Sequence, residues 1–345
     1  MLHGLQRRIM RLTTRMAVAT GQSAELVRLK ARLRRMLARL SAETGRPFEF
    51  IALDTTNNCN LRCPFCFNDF ATVGPRTLMT RQIFARVLQL FPLVSGRVFF
   101  SCLFEPAIHP DFLDLLDMIP RKEQPKVFFT TNLALPLEDD FFRRLSRLRL
   151  AFINISVDSF NPATYRSLRR GGRLEHHLAN LERLAATFAN ATTPPPLHVI
   201  TMALKPNYTE IPRLVERCAR DFGVVDHEIR YVYANSSTSA GWKHDNLLTP
   251  EEWLGLQTDC RGLPCTIYPP PAGYFTDDRA PYSMPAGESG REPADPVGLR
   301  ISSDGRVELS PAGELYDLRS LVAPRRFLTT RAEAFRGRPT REPAS

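Results

Sequence analysis

The 345-residue chain has no run of apolar residues long enough to span a bilayer. Its start, Met1-Leu-His-Gly-Leu-Gln-Arg-Arg-Ile-Met-Arg11, lacks the long apolar core of a secretory signal. Cytoplasmic residence is therefore the expectation, although an Arg-rich, acid-poor start is also the composition of a mitochondrial presequence. The cysteines do not make a disulfide scaffold: there are seven, an odd number, with three crowded at positions 59, 63 and 66 and the others at 102, 218, 260 and 265. That distribution suits a reducing compartment. Basic stretches interleaved with aromatic residues are also lacking, so the formal charge of +10 does not read as a nucleic-acid surface.

Much of that charge sits in residues 1–45, where ten Lys and Arg face two Glu, a net +8. From Ala24 to Leu40, the residues Leu26, Leu29, Leu33, Met36, Leu37 and Leu40 recur at helical spacing, with Arg28, Lys30, Arg32, Arg34, Arg35 and Arg39 largely between them. This predicts a basic amphipathic helix. Its plain role is packing on the main domain with a solvated face; the sharper roles are peripheral contact with a membrane surface or docking of an acidic partner.

What is present in concentrated form is Cys59-x3-Cys63-x2-Cys66, inside Asp54-Thr-Thr-Asn-Asn-Cys-Asn-Leu-Arg-Cys-Pro-Phe-Cys-Phe67. Three thiolates on one short loop can hold three corners of an iron-sulfur cube and leave the fourth iron without a protein ligand, open for chemistry. Structural zinc, the alternative, wants four ligands, usually as two separated pairs, and no fourth Cys or His lies nearby.

Around this loop, strand-like and helix-like stretches alternate, which argues for a parallel α/β sheet. Strands are expected at 48–56, 97–103, 126–131, 151–158, 197–205 and 227–234, and helices near 80–91, 110–118, 137–147, 173–188 and 210–222. The notable polar residues fall at the C-terminal ends of those strands. The cysteine loop follows the first, Glu105 the second, Asn132 ends the third, Ser156 and Asp158 close the fourth, Asn207 follows the fifth and Asn235 ends the sixth. In a parallel α/β barrel the active site lies on that face.

The cysteine spacing, with Phe67 directly after it, resembles the signature of the radical S-adenosylmethionine (SAM) enzymes. The resemblance implies a partial (β/α)6 TIM-like barrel over roughly residues 48–235. It also implies a 4Fe-4S cluster on Cys59, Cys63 and Cys66, with the amino and carboxylate groups of SAM on the open iron. Phe104-Glu-Pro-Ala-Ile-His-Pro-Asp-Phe112 looks like the family segment ending in Gly-Glu-Pro, which assigns Glu105 to the SAM amino group. The paired glycines are replaced by Leu103 and Phe104, which puts the usual close backbone approach in doubt. Thr130-Thr-Asn-Leu133 resembles the family's Thr-Asn-Gly turn, again without its glycine, and brings in Asn132. Ile153-Asn-Ile-Ser-Val-Asp158 resembles the fourth strand, whose terminal Ser156 and Asp158 neighbour the ribose and methionine of SAM. Arg169-Arg-Gly-Gly172 matches a stretch from which an arginine reaches the SAM carboxylate, here taken as Arg170, and Phe67 flanks the adenine. The simpler alternatives are a helix-terminal carboxylate for Glu105, core packing for Phe67 and strand-end hydrogen bonds for the others.

Residues 263–296 are rich in Pro, Gly and Ser and read as a long irregular connection. Beyond it, residues 298–309 alternate around Asp304-Gly305, a hairpin signal, with a final helix near 318–335. This resembles the extension called SPASM or twitch, whose cysteines hold an auxiliary cluster. Ser310 stands where such a cysteine follows the hairpin, and no cysteine comes after Cys265. Two thiolates, Cys260 and Cys265, do not ordinarily anchor a cube. The expected organisation is a basic helical segment at 1–46, a core at 47–240 and a degenerate extension at 241–345.

The implied activity is reductive cleavage of SAM to a 5'-deoxyadenosyl radical that abstracts hydrogen from a small, sugar-like substrate. An epimerase or maturase of a ribosomally made peptide is the alternative, with Cys260, Cys265 or Cys218 as candidate hydrogen donors; the simpler reading of these thiols is buried apolar packing. Such an enzyme needs a one-electron donor such as a flavodoxin or ferredoxin. From a different class, a non-catalytic zinc or iron-sulfur protein would use the basic helix as an interaction arm.

Overall fold

The computed structural model describes residues 45–336, apart from 69, 72, 102, 233–239, 269, 271–273, 275–296, 311, 312 and 322. The helix expected at 24–40, Asn235, Cys102 and most of the Pro-rich connection lie outside the described residues.

Phe-, Val- and Ile-rich segments form β1 (Phe48–Leu53), β2 (Val94–Phe100), β3 (Val127–Thr131), β4 (Phe152–Ser156), β5 (Leu197–Met202), β6 (Asp226–Arg230), β7 (Cys265–Ile267), β8 (Gly298–Ile301), β9 (Arg306–Ser310) and β10 (Glu314–Asp317). The helices are α1 (Arg81–Leu88), α2 (Phe112–Asp117), α3 (Asp139–Ser146), α4 (Pro162–Leu168), α5 (Leu174–Ala189), α6 (Ile211–Phe222), α7 (Ala240–Asn246), α8 (Pro250–Asp259) and α9 (Pro324–Arg336). Side chains set the helix boundaries. Thr80 accepts from the Ile83 N–H ahead of α1, Asn161 caps α4, Thr249 and Glu252 form a reciprocal capping box on α8, and Gly223 ends α6 at φ 64.

The strands make one sheet in the order β10-β9-β8-β1-β2-β3-β4-β5-β6-β7, parallel from β8 through β7. The first and last strands of this order are not paired with each other, so the barrel stays open. Six β/α units were expected; the structure adds β7 beside β6 and β8 beside β1, so the segment after residue 240 extends both edges of the core sheet. The expected hairpin is β8 and β9, but β8 also continues the parallel ladder through Phe50↔Gly298 and Leu53↔Ile301. A Cβ on Gly298 would stand 2.1 Å from the Phe50 ring, so only glycine lets this aromatic lie across the junction.

One set of alternating side chains packs against the helices: Ile51, Val98, Val127, Phe129, Ile153, Ile155 and Val199 are fully buried in the main core. Each such burial contributes roughly 1.5–3 kcal/mol. Period-two alternation turns the intervening residues to the inner, concave face, and the parallel direction gathers the strand C-termini at one end.

Candidate active site

At that end, backbone and side-chain bonds tie the cysteine loop to the loops following β2, β3 and β4. Ser101 donates its N–H to the Leu53 carbonyl at 2.7 Å, and its hydroxyl accepts the Thr55 N–H. The Glu105 N–H donates to the Asn58 carbonyl, and the Arg62 N–H to the Arg170 carbonyl at 2.8 Å. In the Glu-Pro-x-x-His-Pro-Asp stretch, His109 Nε2 meets the Met79 carbonyl at 2.9 Å while Nδ1 accepts the Asp111 N–H. This histidine fixes the loop that carries Glu105.

Glu105 is buried at 3% exposure, where Thr131 Oγ1 donates to it at 2.7 Å, the Asn132 N–H at 2.6 Å and the Ala107 N–H at 3.2 Å. Burial lifts its carboxyl to about 7, against those three hydrogen bonds and the charge of Arg169. Asn132 Nδ2 donates to Asn60 Oδ1 at 2.9 Å and approaches Cys59 Sγ at 3.6 Å. The Leu61 N–H also donates to Cys59 Sγ.

Asp158 is fully buried; its Oδ1 accepts the Met202 N–H at 2.9 Å and its Oδ2 pairs with Arg169 Nε at 2.5 Å. Arg169 Nη1 lies 3.9 Å from Cys63 Sγ, and its guanidinium stands over the Phe65 ring. Burial disfavours the Arg169 charge, but Asp158 and Cys63 outweigh it and push the guanidinium further up. The arginine brought into the group is thus Arg169. Arg170, expected there, has its side chain in solvent and contributes its carbonyl to the cysteine loop.

The turn pairing these arginines depends on Gly171 and Gly172. Gly171 adopts φ +89, and a Cβ there would meet the Asn60 carbonyl at 3.1 Å; one on Gly172 would meet Tyr165 Oη at 2.9 Å and the Arg169 carbonyl at 3.1 Å.

Ser156 closes β4 opposite Ile200 and is half-buried, and Phe67 is 50% exposed beside the cysteines. Asn207 is fully buried and donates to the Asp158 and Met202 carbonyls. The three thiols named as hydrogen donors are not brought to this end. Cys218 is buried in the main core on α6. Cys265 begins β7 opposite His227, near the start of β6 and hence at the opposite end of the parallel strands, and with Cys260 it is buried in an apolar cluster containing Trp253 and Leu256.

Sequence reasoning missed the support behind the turn after β3. His177, fully buried on α5, donates from Nδ1 to the Asn132 carbonyl at 2.8 Å, and Asn180 donates to the Leu133 and Leu135 carbonyls at 2.9 and 2.7 Å. They hold Leu133 at φ 52, a conformation rare for a bulky residue. The available signal was two polar residues three apart on a stripe otherwise made of Leu174, Leu181, Leu184 and Phe188.

Eight parallel strands with a three-cysteine loop, a buried acid and an Asp-Arg pair at their C-terminal ends define an α/β partial-barrel enzyme core of metal-cluster type. Residues 53–218 match the Radical SAM superfamily, and over this stretch the chain carries a radical SAM domain. It is 24% identical over 191 residues to a probable GTP 3',8-cyclase of Methanocaldococcus jannaschii, an alignment covering 54% of this chain and 60% of that one. To the GTP 3',8-cyclase of Caulobacter vibrioides it is 28% identical over 178 residues, 50% of this chain and 49% of that one. The chain therefore spans about half to three fifths of the length of these relatives. In fold it is similar to Streptococcus suis SuiB bound to S-adenosylmethionine, with TM-score 0.55 and 13% identity over 97% of this chain and 76% of that one. It is also similar to SuiB bound to the precursor peptide SuiA, with TM-score 0.54 and 15% identity over 82% and 64% of the two chains.

The superfamily's cofactors are a 4Fe-4S cluster and SAM, and the residues fit both. Burial raises all three thiols, Cys59 to about 12, and Glu105, Cys63 and Cys66 add to the rise at Cys59. Such a site is short of positive charge, which coordinated iron and a sulfonium ligand supply; a coordinating thiol is deprotonated outright. N–H donors already face the sulfurs, from Leu61 and Asn132 at Cys59, Arg169 at Cys63 and Asn68 at Cys66. Among the described residues no group of three His, Cys, Asp or Glu side chains is gathered closely enough to chelate a single ion. Among them, too, no helix is long and apolar enough to cross a membrane.

Proposed function

We propose that the protein is a radical SAM enzyme that abstracts a hydrogen atom from a small polar substrate held on the concave face of its sheet. The observation that carries this is the convergence of Cys59, Cys63 and Cys66 with Glu105, Asn132, Asp158 and Arg169 at one end of the strands. A 4Fe-4S cluster bound there would supply the single electron that splits SAM into methionine and a 5'-deoxyadenosyl radical. Cys59, Cys63 and Cys66 hold the cluster, and the N–H groups at their sulfurs favour its more negative, reduced form.

A carboxylate offers about four lone-pair positions. Glu105 uses three, so one remains for the SAM ammonium group. Arg169, locked by Asp158 with further N–H groups unused by that pair, takes the carboxylate role that the sequence assigned to Arg170. Phe67 and Ser156 face the adenine and ribose. The electron donor is an acidic flavodoxin or ferredoxin drawn to the basic surface. The hairpin extension carries no second cubane.

Anaerobically purified protein should be brown with about four irons per chain, and with SAM and dithionite it should release 5'-deoxyadenosine. Cys63→Ala should lose colour and cleavage while keeping its circular dichroism. A colourless protein that holds zinc and leaves SAM intact would sink the proposal.

A further inference from the structure

On β3 to β6 the two faces of the sheet differ in their access to solvent. The helix-facing residues Phe129, Ile155, Val199 and Ile229 are fully buried, whereas the inner-facing Thr130, Phe152, Ser156, His198, Glu228 and Arg230 are only half-buried. The inner face thus keeps solvent access at these positions, while Phe128, Asn154 and Ile200 on the same face are buried. Below, it is floored by aromatic rings in contact: Phe99 to Phe128 at 4.5 Å, Phe128 to Phe152 at 4.3 Å, and Phe152 stacked on His198 at 4.3 Å and 7°.

Asn154 is the next inner-facing residue of β4 after Phe152. It is 5% exposed, paired in register with Thr130 on one side and His198 on the other. Its Nδ2 donates to Thr130 Oγ1 at 3.4 Å, while its Oδ1 is buried with no hydrogen-bond partner. A buried amide oxygen left unpaired is unfavourable, and this one, on the inner face, calls for a donor that the described residues do not supply. Across the face, Glu228 accepts from Arg230 Nε at 2.9 Å and from the Tyr268 hydroxyl at 3.3 Å.

The geometry points to this inner face as the substrate site, with Asn154 as a specificity-determining residue that accepts a hydroxyl hydrogen from a small, uncharged polyhydroxylated ring. The inference rests on the radical reading above and names its substrate class. An amide, two hydroxyls and an acid-arginine pair form a wall of hydrogen-bonding groups with little net charge, and the aromatic rings, packed on one another, offer an apolar floor to ring C–H groups. On the inner face of β2 to β6, the arginines Arg97 and Arg230 are matched by Asp226 and Glu228, and Arg97 stands over the Phe152 ring. Such a wall suits a neutral ring better than a triphosphate.

Equilibrium dialysis of labelled myo-inositol and methyl α-glucoside against the anaerobic protein, which needs no SAM cleavage, tests the site apart from the radical reading. One of the two should bind saturably. Asn154→Leu, which removes the acceptor, should weaken binding at least tenfold, while Asn154→Asp, which keeps it, should restore it to within a few fold. Thr130→Val, isosteric and half-exposed, should weaken it severalfold. With SAM and dithionite, ring-deuterated ligand should pass deuterium to 5'-deoxyadenosine, and Asn154→Leu should raise KM rather than lower kcat. Binding of GTP or a ten-residue peptide but of neither polyol, or equal binding by wild type, Asn154→Leu and Thr130→Val, would overturn the inference. Polyol binding without any SAM cleavage would leave this site standing and defeat the radical reading instead.

Discussion

Leu133→Gly and Leu133→Ala form a pair whose difference in stability tests the turn that delivers Asn132 to Glu105 and Cys59. Leu133 is at φ 52 and 2% exposed in the main core. Truncation to Ala removes buried carbon and leaves space, which costs about 3–5 kcal/mol in comparable cores. Alanine keeps its Cβ, and with it the roughly 1–2 kcal/mol that a left-handed backbone costs an L residue. Glycine escapes that penalty but gives back about 0.4–1 kcal/mol through the freedom of its unfolded chain. Glycine also gives up the buried Cβ, about 0.8 kcal/mol, so the two variants should lie within about 1 kcal/mol of each other, whereas without a left-handed backbone alanine would lead by about 1–2 kcal/mol. Both should melt below wild type, with midpoints within about 2 °C of each other in thermal unfolding of the anaerobic protein at matched iron content. If alanine leads by well over about 1 kcal/mol, the left-handed assignment at Leu133 is wrong, and so is the role given to His177 and Asn180 in holding it.

Further outcomes concern the charges and glycines behind the site. Arg169→Gln strands Asp158, which is fully buried, and should destabilise the protein by about 3–5 kcal/mol, partly recovered in the Arg169→Gln, Asp158→Asn double variant; full additivity in urea unfolding would contradict the pairing. His177 is held down to about 4 by burial, so the unfolded chain binds more protons between pH 4 and the ordinary imidazole value of 6.5. Its contribution is complete above pH 6.5 and is lost as pH falls to 4, so the stability advantage of wild type over His177→Gln should shrink by about 3 kcal/mol over that window. A gap that is flat with pH would refute a neutral buried imidazole. Gly172→Ala pushes the Arg169 turn away from the cysteine loop, and 5'-deoxyadenosine release should drop on the order of a hundredfold at unchanged iron content; unimpaired release would show that the close approach is not needed.

The strands and most helices were readable because their signals are local. Phe- and Val-rich runs end in breakers, and α5 and α6 show apolar stripes. The missed elements had weak or misleading local signals. β7 is three residues, Cys265–Ile267, and joins β6 only through long-range pairing, while α8 has a weak apolar stripe and is marked mainly by the capping box of its Thr-Pro-Glu-Glu start. The expected sixth strand ran to 234, but pairing with β5 ends at Arg230. At the site, the motifs pointed to Glu105, Asn132 and Asp158, which lie together around the cysteine loop. They did not choose between two adjacent arginines, because that depends on the direction each side chain takes at the left-handed turn through Gly171.

The glycines absent from the motif positions show how the same turns are made by other means. After β2 the left-handed residue is Ser101, at φ 59, rather than Leu103 or Phe104. Ser101 is fully buried, and its N–H and hydroxyl bond the end of β1, so side-chain hydrogen bonding holds a conformation that glycine would adopt freely. After β3, Leu133 takes the left-handed position and anchors it by burial, with His177 and Asn180 binding the carbonyls on either side. In both turns backbone freedom is replaced by contacts to a neighbouring element. The arrangement of Glu105 and Asn132 around Cys59 therefore depends on residues at positions 101, 177 and 180, none of which lies in a cysteine or Glu-Pro motif. Conservative changes at those three positions should disturb SAM binding more than changes at exposed Arg170, although Arg170 is the residue inside the recognisable motif.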